Sequence, residues 1–439
     1  MRILYLSPSG QLGGAERSLL DLLASIRVER PELSLSLVAG EDGPLVFRCV
    51  ELGVRTEVVP FPAALARLGD AAAGGPAGNQ RKGLNLLSDL LLALPAVIIY
   101  LRKLRRVIRE QRPDILHSNG FKMHVLGLWA KPTGVPIIWH IHDYLSKRPF
   151  MARLLRQFAK SSVLCVTNSR SVAADVEAVC GKQLTVKAIY NGVDLKNFAP
   201  TGPQLDLDKL SHLQSAIPQT VRVGLLGTFA RWKGHEIFLQ AMSLIKTDVP
   251  LRGYVVGGPL YQTCGSQYSE TELKRLAAQF GVSDSIGFTG FIDQPAAAMR
   301  ALDIVVHAST EPEPFGLVIV EGMACARAVI ASAAGGVSEI ITEGVDALGH
   351  SPGDARALAR CIERLAADSG LRHWLGQAGR STAEQRFDRV QMATNLIPLY
   401  QSVTKQSAEN KSFYASSERP QWKYLRRGGK TADHFGVPS

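Results

Sequence analysis

The sequence lacks the features that mark disulfide-linked, zinc-binding and secreted proteins. Its 439 residues contain six cysteines, which are scattered and form no C-x-x-C pair. This excludes a zinc ribbon or a disulfide framework and favours a reducing cytoplasm. The N-terminus, MRILYLSPSGQLGG, is typical of a strand and a turn and lacks the apolar core of a signal peptide. We therefore expect a cytoplasmic protein.

Long uninterrupted apolar runs are also missing. The main candidate, LNLLSDLLLALPAVIIYLRKLRRVIRE, is broken by Asp89 and Pro95, whereas a membrane-spanning helix needs about 20 apolar residues. Three interpretations remain open for this segment. It can span a membrane, it can be a buried helix of the first domain with a solvated basic end, or it can bind anionic lipid at the inner membrane face through Arg102–Arg109.

The composition is that of a large globular protein with a basic surface. Hydrophobic residues make up 46% and charged residues 20% of the chain, which suffices for the cores of two domains of about 200 residues each. The net charge of +11 favours an anionic ligand, nucleic acid or an acidic membrane surface. The basic residues form no patch interleaved with aromatics, so we do not expect nucleic-acid binding.

The order of the predicted elements indicates an α/β fold. Apolar runs such as RILYLS and VPIIWHIHD alternate with helical patterns in the first half, and VRVGLLGTF and ALDIVVHAS do so in the second. This alternation predicts two Rossmann-like, doubly wound parallel-sheet domains that face a cleft. The predicted segments are a first domain (1–193), a linker (194–220), a second domain (221–388), a helix that packs back on the first domain (389–404) and a basic, disordered tail (405–439).

In such folds, ligands bind beyond the carboxyl ends of the strands. Gly13 and Gly14 follow the first strand and precede a helix, so they can admit a phosphate or form a plain tight turn. The turn is not G-x-G-x-x-G, and the second strand ends in VAG without an acidic residue. The sequence therefore argues against a dinucleotide-dependent dehydrogenase.

Histidines end another strand of the first domain. His140 and His142 in PIIWHIHDY lie on one face of the strand, beside Asp143. They are either structural or functional, and in the functional interpretation the aspartate orients one imidazole. No third ligand has the spacing of a zinc site, so no metal is predicted.

The turn GTFARWKG in the second domain carries Arg231 and Lys233 just before a helix. Cations next to free helix amides are suited to a pyrophosphate. The alternative is that both are ordinary solvated loop residues.

The segment EPEPFGLVIVEGMA contains two glutamates eight residues apart, Glu313 and Glu321. Glu313 precedes Pro314 and is biased toward an extended backbone, so it can point into the cleft. We expect a helix that starts at Phe315 and Gly316, with Glu321 about two turns into it on the same side. One carboxylate could bind a sugar and the other a ribose, with phosphates between them. The spacing is that expected for a nucleotide-sugar.

Taken together, these segments resemble the family 4 retaining glycosyltransferases of the GT-B fold. Glu313, Phe315, Gly316 and Glu321 are similar to the family signature E-x-F-G-x-x-x-x-E. Further similar segments follow one another between residue 13 and about residue 387: GGAE, HD, YNGVD, WKG, FTGF and AGGVSEII. Each match is modest, but the ordered set is specific.

The resemblance implies roles for the matched residues. Glu313 and His142 would act at the reacting sugar, and His140 and Asn119 are further candidates for contact with it. The residues implied in donor binding are Gly14, Arg231, Lys233, Gly290, Phe315, Gly316, Leu317 and Glu321. Within this set, Lys233 would neutralise the leaving diphosphate, and Glu321 would bind the ribose.

One position departs from the family pattern. The family commonly has an arginine directly after the glycine that ends the first strand of the second domain, and this sequence has Thr228 there. Arg231 follows three residues later, and whether it replaces that arginine stays open.

The activity implied by the resemblance is hexosyl transfer from a UDP- or GDP-sugar with retention of configuration, without a metal or other cofactor. The first domain would hold a glycan or lipid-linked acceptor, and the second domain the nucleotide-sugar donor. Two alternatives remain open. One is a nucleotide-sugar epimerase of the same fold, and the other is a non-catalytic protein that binds nucleotide-sugars.

Overall fold

The computed structural model describes residues 1–62, 82–259 and 266–417, and this part of the chain forms two parallel sheets. The strands of the first sheet are β1 (Arg2–Ser7), β2 (Ser34–Ala39), β3 (Arg55–Val58), β4 (Ile115–Asn119), β5 (Ile137–Ile141), β6 (Leu164–Thr167) and β7 (Val186–Ala188). Their order is β3-β2-β1-β4-β5-β6-β7, with all neighbours parallel. Because the chain winds outward from β1 in both directions, a crevice opens at the carboxyl ends of the central strands.

The second sheet repeats this arrangement. Its strands are β8 (Val221–Leu226), β9 (Leu251–Val256), β10 (Ile286–Gly290), β11 (Ile304–His307), β12 (Ala328–Ser332) and β13 (Leu348–His350). Their order is β10-β9-β8-β11-β12-β13, again all parallel. The predicted fold of two doubly wound parallel sheets is thus confirmed. We call the units built on the first and second sheets the first and second lobes.

Helices connect the strands within each lobe. Those that begin before β8 are α1 (Gly14–Glu29), α2 (Pro44–Glu51), α3 (Lys82–Gln111), α4 (Phe121–Ala130), α5 (Pro149–Phe158), α6 (Arg170–Cys180) and α7 (Leu207–Leu210). The later ones are α8 (His235–Leu244), α9 (Glu270–Gln279), α10 (Pro295–Arg300), α11 (Leu317–Ala324), α12 (Val337–Ile340), α13 (Ala355–Ala367), α14 (Ser369–Arg386) and α15 (Val390–Ser417). Several begin at a side chain that accepts a hydrogen bond from the first turn, such as Ser169 at α6 and Ser269 at α9.

The last helix returns from the second lobe to the first. Met392, Leu396 and Tyr400 of α15 are buried in the hydrophobic core that contains β1 and α1. The helix runs to Ser417, so the irregular tail expected from residue 405 does not begin there. The first lobe buries the apolar residues of α15 up to Val403, and the hydroxyl of Ser407 donates to the backbone oxygen of Gly134 (2.9 Å). Residues 418–439 lie outside the described residues.

The segment predicted as a linker is anchored to the second lobe by a buried carboxylate. The side chain of Asp206 caps α7, and Asp208 is buried. Asp208 accepts hydrogen bonds from Arg222, Arg252 and Tyr254. Although burial opposes ionisation, these donors hold the pKa of Asp208 well below its usual range.

The basic helix α3 packs on the first lobe. Tyr100, Leu104 and Ile108 lie in the hydrophobic core of the first lobe. The five basic side chains within Arg102–Arg109 are exposed. Among the described residues, no helix combines the length and the apolar composition of a membrane span.

Candidate active site

The carboxyl ends of the two sheets face each other and are in contact. The loop after β5 carries Tyr144, whose hydroxyl donates to the backbone oxygen of Glu313 in the loop after β11 (3.4 Å). Gly335, after β12, lies against the same hydroxyl, because a Cβ there would stand 2.3 Å from it. Farther out, Lys147 forms an ion pair with Glu311 (2.7 Å). The strand-end loops of both lobes therefore form one site.

A carboxylate of the second lobe also binds a helix end of the first lobe. Glu339 in α12 accepts hydrogen bonds from the backbone N–H groups of Arg170 and Ser171 (2.9 and 2.6 Å) and from the hydroxyl of Tyr190 (2.9 Å). These amides open α6, where unpaired N–H groups and the helix dipole favour an anion. The AGGVSEII segment thus contributes a charged contact between the lobes.

Glu313 is buried, and both of its carboxylate oxygens have partners. Oε1 lies 2.5 Å from Nζ of Lys233. Oε2 accepts from Oγ of Ser309 (2.6 Å) and Nε2 of His307 (2.8 Å). Although burial alone would raise it, the charge of Lys233 and the hydrogen bond from His307 hold the pKa of Glu313 well below its usual range. The carboxylate is therefore ionised at neutral pH and fixed in orientation.

A tight turn brings Lys233 to this position. Arg231–Lys233 forms one turn of 3₁₀ helix, and Gly234 follows in the left-handed region with φ of 77°. A Cβ at Gly234 would stand 1.8 Å from the backbone oxygen of Ala308, so only glycine allows the turn to pack against the end of β11. Because His307 ends that strand, the cation and the imidazole converge on the same carboxylate.

The N-terminus of α11 lies directly after Glu313 in the chain. Gly316 caps the helix with φ of 104° and without a side-chain hydrogen bond, which leaves the first amides suited to an anion. The expectation that this helix starts at Phe315 and carries Glu321 two turns in is wrong. It starts at Leu317, so Glu321 lies about one turn from its beginning. Burial raises the pKa of Glu321, and Arg17 of α1 opposes that rise.

Phe315 lies in the core of the second lobe rather than at the predicted donor contact. Its side chain is 2% exposed, and its ring packs against Tyr190 and Phe387 with centroid distances of 6.2 and 5.9 Å. Burial of an aromatic ring of this size anchors the loop that presents Glu313.

Arg231 is oriented toward α9. It forms an ion pair with Glu272 (3.0 Å), and its guanidinium lies 4.3 Å from the ring centroid of Tyr268. Of the two cations predicted to bind the donor, Arg231 thus pairs with Glu272 of α9 and Lys233 with Glu313.

On the side of the first lobe, Asn119 fixes the ring of His142. Nε2 of His142 lies 2.6 Å from Oδ1 of Asn119, whose Nδ2 donates to the backbone oxygen of Ala15 (3.5 Å). Since an amide oxygen only accepts, the proton of His142 is on Nε2. Burial lowers the pKa of His142 to about 4, so the ring is neutral at neutral pH. Its Nδ1 is an acceptor without a partner among the described residues, as expected where a ligand supplies the donor.

His140 and Asn119 lie behind His142 instead of at the predicted sugar contact. Both are buried, with His140 2% exposed. The rings of His140 and His142 are 4.0 Å apart between centroids. Both side chains thus support His142, because β4 and β5 place them inside the lobe.

Gly14 and Gly290 leave open space at their positions. Gly14 is the first residue of α1, and Gly290 ends β10 with φ of 71°. At either glycine, an added Cβ would meet nothing within 4 Å in the described structure. The backbone at both positions is therefore accessible to a ligand.

Comparison with known families matches both lobes. The model described as Glycosyltransferase Family 4 matches residues 12–197, and the model described as Glycosyl transferases group 1 matches residues 214–382. Together they include the site residues from both sides of the cleft. The chain belongs to the family 4 glycosyltransferases, whose two lobes these models describe.

Individual glycosyltransferases are similar to this chain at moderate identity. A D-inositol 3-phosphate glycosyltransferase of Salinispora arenicola is 30% identical over 299 residues, which cover 62% of this chain and 64% of that protein. The match thus spans less than two thirds of that relative. The lipopolysaccharide core biosynthesis mannosyltransferase LpsB of Rhizobium meliloti is 25% identical over 351 residues, which cover 75% of this chain and 97% of that protein.

Solved glycosyltransferase structures share the architecture. The crystal structure of Anabaena HepE in complex with UDP and glucose has a TM-score of 0.74 and 26% identity, and it covers 92% of this chain and 100% of HepE. HepE in complex with UDP-glucose gives the same values. The chain therefore has the GT-B fold.

The candidate site contains side chains that sequence analysis did not select. His307 and Ser309 hold Glu313, and Tyr144 and Glu339 connect the lobes. His307 could have been selected from the sequence, because it ends the apolar run DIVVH at a strand end. Glu339 lies within the quoted segment AGGVSEII, which was a signal for it. Ser309 and Tyr144 have no such signal, because their contacts depend on the fold.

Proposed function

We propose that the protein transfers a hexosyl group from a UDP-linked sugar to a glycan or lipid-linked acceptor, with retention of anomeric configuration. The observation that carries this proposal is the buried contact between Lys233 and Glu313 beside the N-terminus of α11. A cation next to helix amides suits a diphosphate, and an ionised carboxylate suits sugar hydroxyls and developing positive charge. The HepE structures, which contain UDP with glucose or UDP-glucose, support uracil as the base.

In this proposal, fixed charges of the protein stabilise the leaving group. Cleavage of the donor places additional negative charge on the departing diphosphate. Lys233 and the first amides of α11 would face this charge without reorganisation, which is how preorganised sites lower a barrier. The lysine would supply the positive charge that a metal ion supplies in other enzymes, so the proposed reaction requires no metal.

The state of Glu313 supports an electrostatic role. A carboxylate with a low pKa and a donor on each oxygen is a weak base and a weak nucleophile. We therefore assign Glu313 to binding the sugar and stabilising its positive charge. Retention would follow if the acceptor oxygen bonds to the anomeric carbon on the face from which the phosphate oxygen leaves, with that phosphate taking the hydroxyl proton.

The base of the donor is tested by thermal denaturation with equal, saturating concentrations of UDP, GDP or ADP. We expect UDP to raise Tm by about 5–10 °C, because a ligand at 100-fold its Kd stabilises the folded state by about 2.7 kcal/mol. The Lys233→Ala variant should show a smaller shift. A larger effect of GDP or ADP would reject uracil, and no effect of any nucleotide would reject the diphosphate site.

The surface around α3 supports a membrane-presented acceptor. Three apolar side chains of α3 are about half exposed: Leu94, Ile98 and Ile99. The exposed basic residues of Arg102–Arg109 follow within the next turns. Arg105 also donates to the backbone oxygen of Trp129 (2.6 Å), whose ring is partly exposed. Apolar side chains edged by cations and tryptophan are typical of interfacial helices. We therefore propose that the first lobe binds anionic lipid peripherally, where it would meet a lipid-linked acceptor.

Sedimentation with vesicles tests this membrane proposal. The full-length protein should bind vesicles that contain phosphatidylglycerol more tightly than vesicles of phosphatidylcholine alone, and salt should weaken this binding. Replacing Arg102, Lys103 and Arg109 by Gln should weaken it on the order of 100-fold, from about 1 kcal/mol per charge.

The matched control removes three exposed arginines of α13 in the second lobe, Arg356, Arg360 and Arg364. This triple Gln variant should bind vesicles nearly as well as the wild type. Equal losses in both variants would indicate a general charge effect, and no binding to anionic vesicles would refute the membrane proposal.

A further inference from the structure

A chain of buried polar side chains connects the returning helix α15 to the histidines of the first lobe. The hydroxyl of Tyr400 lies 2.7 Å from Nδ1 of His117, and Nε2 of His117 lies 3.1 Å from Nδ1 of His140. At the far end, the hydroxyl of Tyr5 is 3.2 Å from that of Tyr400. At the near end, the ring of His140 lies against the ring of His142.

All four members of this chain are sealed from solvent and neutral. Tyr5, His117, His140 and Tyr400 are buried. Burial lowers the pKa of His117 to about 3 and that of His140 well below its usual value. It raises the pKa of both tyrosines. Each group therefore holds one proton at neutral pH. Four protons are thus available for the three hydrogen bonds that join Tyr5, Tyr400, His117 and His140.

Acid–base strength indicates the direction of these bonds. A phenol is a good donor and an imidazole nitrogen is the stronger base, so the hydroxyl of Tyr400 donates to Nδ1 of His117. His117 then carries its proton on Nε2 and donates to Nδ1 of His140. His140 in turn carries its proton on Nε2, an atom that has no hydrogen-bond partner within the described residues. The tautomer of each imidazole ring thus follows from the hydrogen bond that the hydroxyl of Tyr400 donates.

We propose that Tyr400 is a positioning residue for the sugar side of the cleft, acting through His117 and His140 on the ring of His142. This inference rests on the proposed function, since it assigns His142 to the donor sugar. Asn119 holds His142 at one ring nitrogen, and His140 supports the face of the ring. A helix that leaves the second lobe thereby helps to build the half of the site in the first lobe.

A simpler role for the same hydroxyl is to satisfy buried polar atoms and stabilise the docking of α15. The two roles differ in what they predict for the imidazoles. Loss of a purely structural hydroxyl lowers stability and leaves the histidine tautomers unchanged. Loss of a positioning hydroxyl releases Nδ1 of His117 and alters the rings beyond it.

The test compares the full-length wild type with Tyr400→Phe and Tyr100→Phe, each labelled with ¹⁵N in histidine. Tyr100 is a matched control, because it is buried and its hydroxyl has no hydrogen-bond partner among the described residues. In the wild type, we expect His117 and His140 each to show a single tautomer protonated on Nε2. In Tyr400→Phe, the ring signals of His117, His140 and His142 should shift, whereas Tyr100→Phe should leave them in place.

Activity provides the second readout. We expect kcat/KM for the donor to fall about fivefold in Tyr400→Phe, the effect of one lost buried hydrogen bond. In Tyr100→Phe it should stay within about twofold of the wild type.

Two spectroscopic results would overturn the proposal. One is a wild-type His117 protonated on Nδ1, because the hydrogen bonds would then run in the opposite direction. This result can be observed even if Tyr400→Phe does not fold. The other is a folded Tyr400→Phe protein with unchanged signals of His140 and His142. Both measurements use the free protein, so they are independent of donor identity. Failure of the wild type to transfer any sugar would refute the proposed function instead.

Discussion

Glu313→Gln should fold like the wild type and lose at least about 100-fold in kcat. Glutamine keeps the shape of the side chain, and its amide oxygen can still accept from Lys233 or Ser309. It lacks the negative charge that would stabilise the developing positive charge of the sugar, and removing one preorganised electrostatic group costs about 10²–10³ in kcat. Initial rates at saturating donor measure the loss, and circular dichroism with thermal melting checks the fold.

Glu311→Gln is the matched control for this variant. Glu311 lies in the same loop and forms an exposed ion pair with Lys147, and exposed pairs of this kind contribute little. Its kcat should stay within about twofold of the wild type. A folded Glu313→Gln protein with nearly normal kcat would contradict the assigned role. Equal losses of kcat in both variants would also contradict it, because the cause would then be a disturbance of the loop and not the loss of the buried carboxylate.

Lys233→Ala is expected to weaken UDP binding about 10- to 100-fold, which is the usual contribution of one charge-assisted hydrogen bond to phosphate. Titration calorimetry with UDP measures this loss. The same change removes the main charge that keeps the buried Glu313 ionised, so the pKa of Glu313 should rise. Stability should fall by about 1–3 kcal/mol, since a buried carboxylate loses one of its partners.

Two further variants separate the charge of Lys233 from general effects. Lys233→Arg keeps a cation and should retain more UDP affinity than Lys233→Ala. Lys274→Ala removes an exposed lysine of the same lobe, which pairs with Glu270 in α9, and should bind UDP like the wild type. If Lys233→Ala and the wild type had equal affinity for UDP, the proposed contact with the diphosphate would be wrong.

The fold could be predicted because most strands are short apolar runs in a regular alternation with helices. β5 (IIWHI) and β11 (IVVH) are recognisable without any neighbour. β13 is different, since its sequence LGH becomes a strand only by pairing with β12. The position of α15 likewise depends on the first lobe, which buries Tyr400 and the apolar residues around it.

Single site residues could be selected from the sequence, whereas their partners could not. Glu313 and Lys233 stood out because they follow strands and match a family signature. Their contact needs β8 and β11 to be neighbours in one sheet, a relation that no local pattern contains. The burial of the Phe315 side chain could not be predicted for a related reason, since a residue inside a functional motif can face either the ligand or the core. Asn119 was a candidate for contact with the sugar, and the structure shows it inside the lobe on β4, where it orients His142.

A crystal structure of the protein with bound UDP-glucose would show whether both lobes hold the donor in the proposed way. We expect the diphosphate within hydrogen-bond distance of Nζ of Lys233 and the first amides of α11, and the sugar between Glu313 and His142. A nucleotide bound elsewhere, with the contact between Lys233 and Glu313 remote from both phosphate and sugar, would contradict this expectation.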